Sequence, residues 1–217
     1  MLAFIRRNLD PAARLGEILF GLIMALGITG AVRLGREEAD NHALFVGIFG
    51  CNLAWAIVDG VMYVLTALFE RARKARLVRD VLGAATEETA LRQIGRELDG
   101  PLMAVTTPED RLQLHRSVLA VLRRGKLGVP GVHRADLLGG VAVALLIVLA
   151  TFPIIVPYLV VPDPNVAVRV SNAIALTLLF LLGVRWGQIV GGRPVRIGAG
   201  LTLIGLVLVL VTIVLGG

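Results

Sequence analysis

The chain has 217 residues, of which 56% are hydrophobic, and a net charge of +6 at pH 7. An ordinary soluble domain is about 45–50% apolar. Here the apolar residues form long blocks, which excludes an ordinary soluble fold and predicts a polytopic membrane protein. Because Arg and Lys of membrane proteins collect in cytoplasmic loops beside anionic lipid, we expect a lipid bilayer, and no nucleic acid, as partner. Cys51 is alone and the three histidines lie far apart, which predicts neither an internal disulfide nor a zinc site.

Five apolar segments are long enough to cross a bilayer, whose core of about 30 Å takes about 20 residues of helix. They cover residues 16–32, 43–69, 136–161, 166–184 and 196–215. The first is the shortest, but it follows a polar leader and contains Glu17, which favours a retained helix over a signal peptide. The predicted fold class is an all-α integral membrane protein with five transmembrane helices.

The polar segment between the second and third spans carries helix signals of its own. The sequence TEE at 86–88 predicts a helix start, with a capping threonine and favourable acidic residues, and GP at 100–101 predicts its end. The sequence TPED at 107–110 predicts a further helix, ended by Gly125. We therefore expect a small helical domain between transmembrane helices 2 and 3.

Basic residues on alternate loops predict the orientation. The loops that carry them hold Arg6, Arg7, Arg14, Arg71, Arg73, Lys74, Arg76, Arg79, Arg185, Arg193 and Arg196. By the positive-inside rule the N-terminus is cytoplasmic, and five spans leave Gly217 outside. The predicted organisation is transmembrane helices 1 and 2 in residues 1–69, a cytoplasmic helical domain in 70–135, and transmembrane helices 3 to 5 in 136–217. The expected location is the inner (plasma) membrane of the cell.

An acidic residue inside the second span is the main functional signal. A charged Asp at the centre of a membrane helix costs about 2.5–3.5 kcal/mol, and such residues usually line ion or proton pathways. Helical spacing places Asp59 on a stripe with Asn52, Trp55, Met62 and Thr66. Counting about 1.5 Å per residue puts Asp59, Met62 and Met24 at one depth, with Glu17 at the cytoplasmic mouth.

These four residues are the predicted metal site: Asp59, Met62, Met24 and Glu17. Carboxylates suit hard divalent cations and thioethers add a preference for softer metals, while a carboxyl group taken out of water readily holds a proton. The plainer alternative is that a protonated Asp59 hydrogen-bonds a neighbouring helix, at Asn172 or Ser171, and that the methionines only fill gaps. The spans contain no nucleophile–base pair and no histidine cluster, so an enzyme is not expected.

The order of these parts resembles the vacuolar iron transporter family. GEILFG at 16–21 opens the first span, the second span runs into a basic helical cap, and three more spans follow. The resemblance implies five membrane helices, a cytoplasmic N-terminus, a metal-binding cap and a homodimer. It also implies exchange of Fe²⁺ or Mn²⁺, as substrate, for protons, with no bound cofactor.

The chain also departs from the pattern of that family. Met24 stands where the family's first helix has an Asp, and Met62 and Asp59 are approximate counterparts of a Met and a Glu in its second helix. The family's cap clusters Glu residues, whereas the acidic and thioether residues here alternate with Arg: Glu87, Glu88, Glu97, Asp99, Met103, Glu109 and Asp110. We expect a divalent-metal/proton exchanger. The alternative is a non-transporting membrane protein that keeps the fold as an interaction or regulatory module.

Overall fold

A computed structural model describes residues 11–32, 40–102, 106–125 and 128–214, and this part of the chain is helical throughout. In order, its helices are α1 Pro11–Val32, α2 Asn41–Leu82, α3 Glu87–Leu102, α4 Pro108–Arg124, α5 Arg134–Val160, α6 Pro164–Val190 and α7 Pro194–Val214. The all-α class is confirmed. The predicted topology also rests on Arg6, Arg7 and Gly217, which lie outside the described residues.

Three of these helices are long and apolar enough to cross a membrane, by length and composition: α2, α5 and α6. Shorter apolar stretches lie at Leu15–Gly27 within α1 and Pro194–Val207 within α7. Many large apolar side chains on these helices are exposed at the surface of the chain, as expected when the surrounding solvent is lipid. The chain is therefore built as a helical membrane protein. The number of five spans stays a prediction.

The chain divides into two compact units, and the first comprises residues 1–64 and 134–217. Its core forms where α1 packs against α5, α6 and α7 and where α6 packs against α7. The largest fully buried apolar side chains there are Leu22, Ile48, Val143, Ile147, Ile154 and Leu179. Lipid offers no hydrophobic driving force between helices, so close packing of such side chains and of small residues has to hold them together.

Glycines allow a close helix contact where α2 crosses α5. A Cβ atom on Gly140 would lie 2.5 Å from the Gly60 carbonyl oxygen, and one on Gly60 would lie 2.8 Å from the Gly140 carbonyl oxygen. A Cβ atom on Gly139 would overlap the Tyr63 ring. Only glycine leaves room for two backbones at this separation. The crossing is therefore a contact of main chain with main chain.

The buried face of α2 follows a spacing of four residues along Ile48, Asn52, Ala56 and Gly60. The predicted polar stripe is therefore only partly correct. Asn52 is buried, whereas Trp55 is 38% exposed and Met62 is 51% exposed. The difference arises because Trp55 and Met62 lie to the side of the buried row, whereas Asn52 lies within it.

The start and end of α6 are fixed by the residue types that such positions favour. Asp163 is the N-cap, and its carboxylate accepts from the backbone N–H of Asn165 at 2.8 Å and of Val166 at 3.2 Å. Pro164 follows in the first helical turn, where a missing N–H costs nothing. Gly191 ends the helix with φ of 74°, a left-handed conformation that glycine adopts without strain.

The second unit comprises residues 65–133 and has a core of its own, formed by Val81, Ala90, Ile94 and Leu119. The predicted start of α3 is confirmed, because the Thr86 hydroxyl accepts from the backbone N–H of Thr89 at 3.2 Å. Its predicted end at 100–101 is wrong, since α3 continues to Leu102. A proline bends a helix or ends it according to packing, which the local sequence does not fix.

A capping box starts α4 at the position that the sequence predicts. The Thr107 hydroxyl accepts from the backbone N–H of Asp110 at 3.2 Å, and the Asp110 carboxylate accepts from the backbone N–H of Thr107 at 3.2 Å. Hydrogen bonds from the Thr107 side chain and backbone lower the pKa of Asp110 below its usual value. The last helical residue is Arg124, followed by Gly125 as predicted.

Candidate functional site

Two acidic side chains meet inside the first unit, Glu17 from α1 and Asp59 from α2. Both are partly buried, and their carboxyl groups lie at hydrogen-bonding range of one another. The Glu17 Oε2 atom is buried and accepts a hydrogen bond from no donor among the described residues. One buried oxygen of the pair therefore has no donor among the described residues.

This arrangement requires a positive partner. Two ionised carboxylates in contact repel each other, and the repulsion is strong where water is sparse. A proton shared between the two groups removes it, because one carboxyl then donates to the other. A divalent cation held between them would do the same. The pair is thus a place where a proton and a metal ion would compete for the same oxygens.

Neighbouring packing holds both carboxyl groups in place. Ile18, beside Glu17, packs against the two buried apolar clusters of this unit. Gly60, beside Asp59, lies at the close crossing with α5. Each acidic residue is therefore next in sequence to a residue that anchors its helix to the bundle.

Neither predicted methionine takes part in the contact between the two carboxyl groups. Met24 is seven residues beyond Glu17 on α1, about 10 Å along the helix axis. Met62 is 51% exposed on the surface of α2. The structure puts Glu17, and not Met24, opposite Asp59, so the single depth predicted for Met24, Met62 and Asp59 is wrong. The estimate counted residues from assumed span edges, and α1 begins at Pro11, several residues before the assumed edge.

Ser171, one of the two alternative partners predicted for Asp59, hydrogen-bonds to a different helix, and the prediction for Asn172 stays open. The Ser171 hydroxyl is fully buried and donates to the carbonyl oxygen of Ile154 at 2.9 Å. That bond lies where α6 packs on the proline-containing part of α5, which has fewer internal hydrogen bonds to offer. Ser171 thus supports the α5–α6 contact, and the group facing Asp59 is Glu17.

Acidic residues of the second unit are paired mainly with arginine. Asp99 accepts from His115 at 2.8 Å and lies 4.0 Å from Arg111. Glu97 contacts Arg73 at 2.9 Å. The described residues contain no group of three or more His, Cys, Asp and Glu side chains placed to hold a metal ion. The thioether expected in this region, Met103, lies outside the described residues.

Two buried polar side chains, Thr151 and Asn52, meet beside Gly21, and the sequence did not predict this meeting. Thr151 of α5 is fully buried, and a Cβ atom on Gly21 of α1 would lie 3.7 Å from its Oγ1 atom. The same Cβ atom would lie 3.5 Å from the Oδ1 atom of Asn52, a residue that the sequence placed on the polar stripe of α2. A threonine and a glycine in apolar helices give no periodic signal, so only the packing shows that they meet.

The fold and the acid pair define a class: helical membrane proteins with titratable groups inside the bundle. A family model described as the VIT family matches residues 66–217, which is more than half of the chain. The chain therefore belongs to the vacuolar iron transporter (VIT) family. This family consists of membrane transporters of metal ions rather than enzymes. No curated protein matches the chain.

The matched residues begin near the end of the apolar part of α2. They include the second unit and α5 to α7, and they do not include Glu17 or Asp59. The family assignment thus rests on the later part of the chain. The roles of the acid pair rest on its geometry.

Proposed function

We propose that the protein exchanges a divalent metal ion, Fe²⁺ or Mn²⁺, for protons at the Glu17–Asp59 pair. One observation carries the proposal: two carboxyl groups meet in a helical membrane unit with no donor from the described residues for Glu17 Oε2. Membership of a family of metal-ion transporters supports it. Carboxylate oxygens are ligands that suit Mn²⁺, and Fe²⁺ is close to it in the order of divalent affinities.

The charges at the pair favour an exchange of one metal ion for two protons. With a proton on each carboxyl the pair is neutral, and with both protons lost and one divalent ion bound it is neutral again. The pair with neither protons nor metal bound, or with only one proton bound, carries net negative charge. Such a charge is unfavourable in hydrocarbon. A cycle between the two neutral states therefore avoids most of that cost. Met24 and Met62 remain predicted ligands, which the described packing does not bring to the pair.

Purified protein in proteoliposomes tests the proposed function. An inward flux of Fe²⁺ or Mn²⁺ should appear when the lumen is acidic, and it should alkalinise the lumen as protons leave. Mg²⁺ serves as the comparison ion, because it loses its water shell reluctantly. Absence of flux for both metals in either direction of the pH gradient would contradict the proposal.

A non-transporting membrane protein is the second candidate function. The observation that favours it is the pairing of acidic residues with arginine in the second unit, where Asp99, Glu97 and Glu87 all lie within 4.0 Å of a basic side chain. A cap of this kind suits contact with lipid or a partner better than capture of a cation. The same flux measurement separates the two candidates.

We also propose five spans with the N-terminus and residues 70–135 in the cytoplasm, in the inner membrane. Arg71, Arg73, Lys74, Arg76 and Arg79 follow the apolar part of α2, and Arg193 and Arg196 lie around the start of α7. The positive-inside rule puts both groups on one side. Reporter fusions after residue 40 and after Gly217 should report the outside, and one near residue 100 the cytoplasm. An outside signal near residue 100 would overturn the orientation.

A homodimer is proposed from the family and from the exposed apolar surface of α2. Leu53, Ile57, Val61 and Leu65 of this helix are each at least 40% exposed, and either lipid or a second copy must cover them. Cross-linking in native membranes should give a band at twice the 23.1 kDa chain mass. A strictly monomeric species, both in bilayers and in mild detergent, would contradict the dimer.

A further inference from the structure

The buried side-chain amide of Asn52, inside the first unit, has a partner for its nitrogen but none among the described residues for its oxygen. Asn52 is 1% exposed, and its Nδ2 atom donates to the carbonyl oxygen of Ile48 at 3.0 Å. Its Oδ1 atom accepts from none of the described donors. Turning the amide over would set Oδ1 against the Ile48 carbonyl, two acceptors face to face, so the hydrogen bond fixes which atom points away.

Oδ1 points at a position where α1 has no side chain. A Cβ atom on Gly21 would lie 3.5 Å from Asn52 Oδ1 and 3.7 Å from Thr151 Oγ1. Thr151 is fully buried, and its hydroxyl donates to the Ile147 carbonyl at 2.9 Å, which leaves its oxygen lone pairs as acceptors. Two buried acceptors from different helices therefore converge on bare backbone.

A water molecule fits this chemistry. It carries two hydrogens, one for each acceptor, and a buried water needs two to four polar partners. A buried amide oxygen without any partner destabilises the fold by about 1–3 kcal/mol. Ordering one water molecule costs about 0–2 kcal/mol, so a water that binds this oxygen is favourable. The position also lies close to the acid pair, because Gly21 is one helical turn, about 6 Å, beyond Glu17 on α1.

We propose that Asn52 Oδ1 and Thr151 Oγ1 hold a water molecule against the backbone of Gly21, and that this water continues a hydrated path beyond the Glu17–Asp59 pair. The water site stands on the geometry alone. Its place on a path rests on the proposed exchange function.

Gly21→Ala tests the water site because it fills the position without a clash. Contacts of 3.5 and 3.7 Å are ordinary for a methyl group, so the new side chain replaces the water and leaves Asn52 Oδ1 without a partner. We expect a lower melting temperature in nanodiscs, although alanine is the better helix former. In an Asn52→Leu background the same change should raise the melting temperature, because no acceptor is left unmet there.

Gly27→Ala is the matched control, since it lies on the same helix and a Cβ atom there meets nothing within 4 Å. It should raise the melting temperature slightly in both backgrounds. If Asn52→Leu fails to fold, Asn52→Ala provides the background instead, since it also removes the Oδ1 acceptor. A melting temperature raised by Gly21→Ala in the wild-type chain would overturn the water site.

Flux measurements test the path separately. Gly21→Ala should reduce metal–proton exchange at least tenfold, and Gly27→Ala should leave it unchanged. Full exchange in Gly21→Ala, alongside the expected melting temperatures, would keep the water site and overturn its place on the path. Absence of flux in the wild-type chain would defeat the proposed function, and the melting temperatures would still decide the water site.

Discussion

Asp59→Asn is expected to abolish metal–proton exchange while leaving the protein folded. Asn keeps the shape of Asp and its capacity to hydrogen-bond Glu17, but it cannot ionise. The loss of one charge next to a divalent ion removes an attraction of at least about 4 kcal/mol at 4 Å in a partly polar site. We therefore expect metal binding about 1,000-fold weaker, and flux at the level of empty liposomes.

Two further variants make this result specific. Glu17→Gln should cause a similar loss, and the double variant should lose little more than either single one, because the two carboxyls act as a unit. Met62→Leu should retain most of the flux, since that side chain is half exposed at the surface of α2. Full exchange in Asp59→Asn would remove this residue from the mechanism, whatever happens in the other variants.

Gly140→Ala is expected to disrupt the packing of α2 on α5. The new methyl group would lie 2.5 Å from the Gly60 carbonyl oxygen, which is main chain and cannot rotate away, so the two helices have to separate. Overpacking of this kind costs about 1–3 kcal/mol and sometimes more. We expect a clearly lower melting temperature and a loss of exchange, because Asp59 is next to Gly60 and moves with it.

Gly50→Ala on α2 is the matched control for this variant. A Cβ atom at that position meets nothing within 4 Å, and the change from glycine to alanine favours a helix by about 1 kcal/mol. It should therefore leave stability unchanged or raise it. A Gly140→Ala protein as stable as the Gly50→Ala protein would show that the two backbones are not in close contact.

The sequence predicted the helices well because their signals are local. Apolar runs predicted the long apolar helices α2, α5 and α6, and the TPED and Gly125 signals predicted α4 with both ends correct. The end of α3 was wrong because Pro101 falls near the helix terminus, where packing decides whether a helix continues. The family resemblance, drawn from the order of the parts, is confirmed.

The site was harder to predict, for a reason that is also physical. The sequence singled out Glu17 and Asp59, because ionisable residues in apolar helices are rare. It did not predict that they meet, since the relative depth of two helices depends on how their surfaces interlock. An error of four residues in a span edge moves a side chain by about 6 Å. Glu17 and Met24 are about 10 Å apart along α1, so an error of this size is a large part of the distance between them.

The exposed cysteine on α2 has a practical consequence. Cys51 is the only thiol of the chain, and it lies on the outer surface next to the buried Asn52. A nitroxide or fluorophore attached there would label one defined position without any substitution, two helical turns from Asp59. In the proposed dimer, pulsed dipolar spectroscopy on such a sample would measure one distance, between the labels of the two chains. The number of interacting labels would give the number of subunits, and the distance would give their separation.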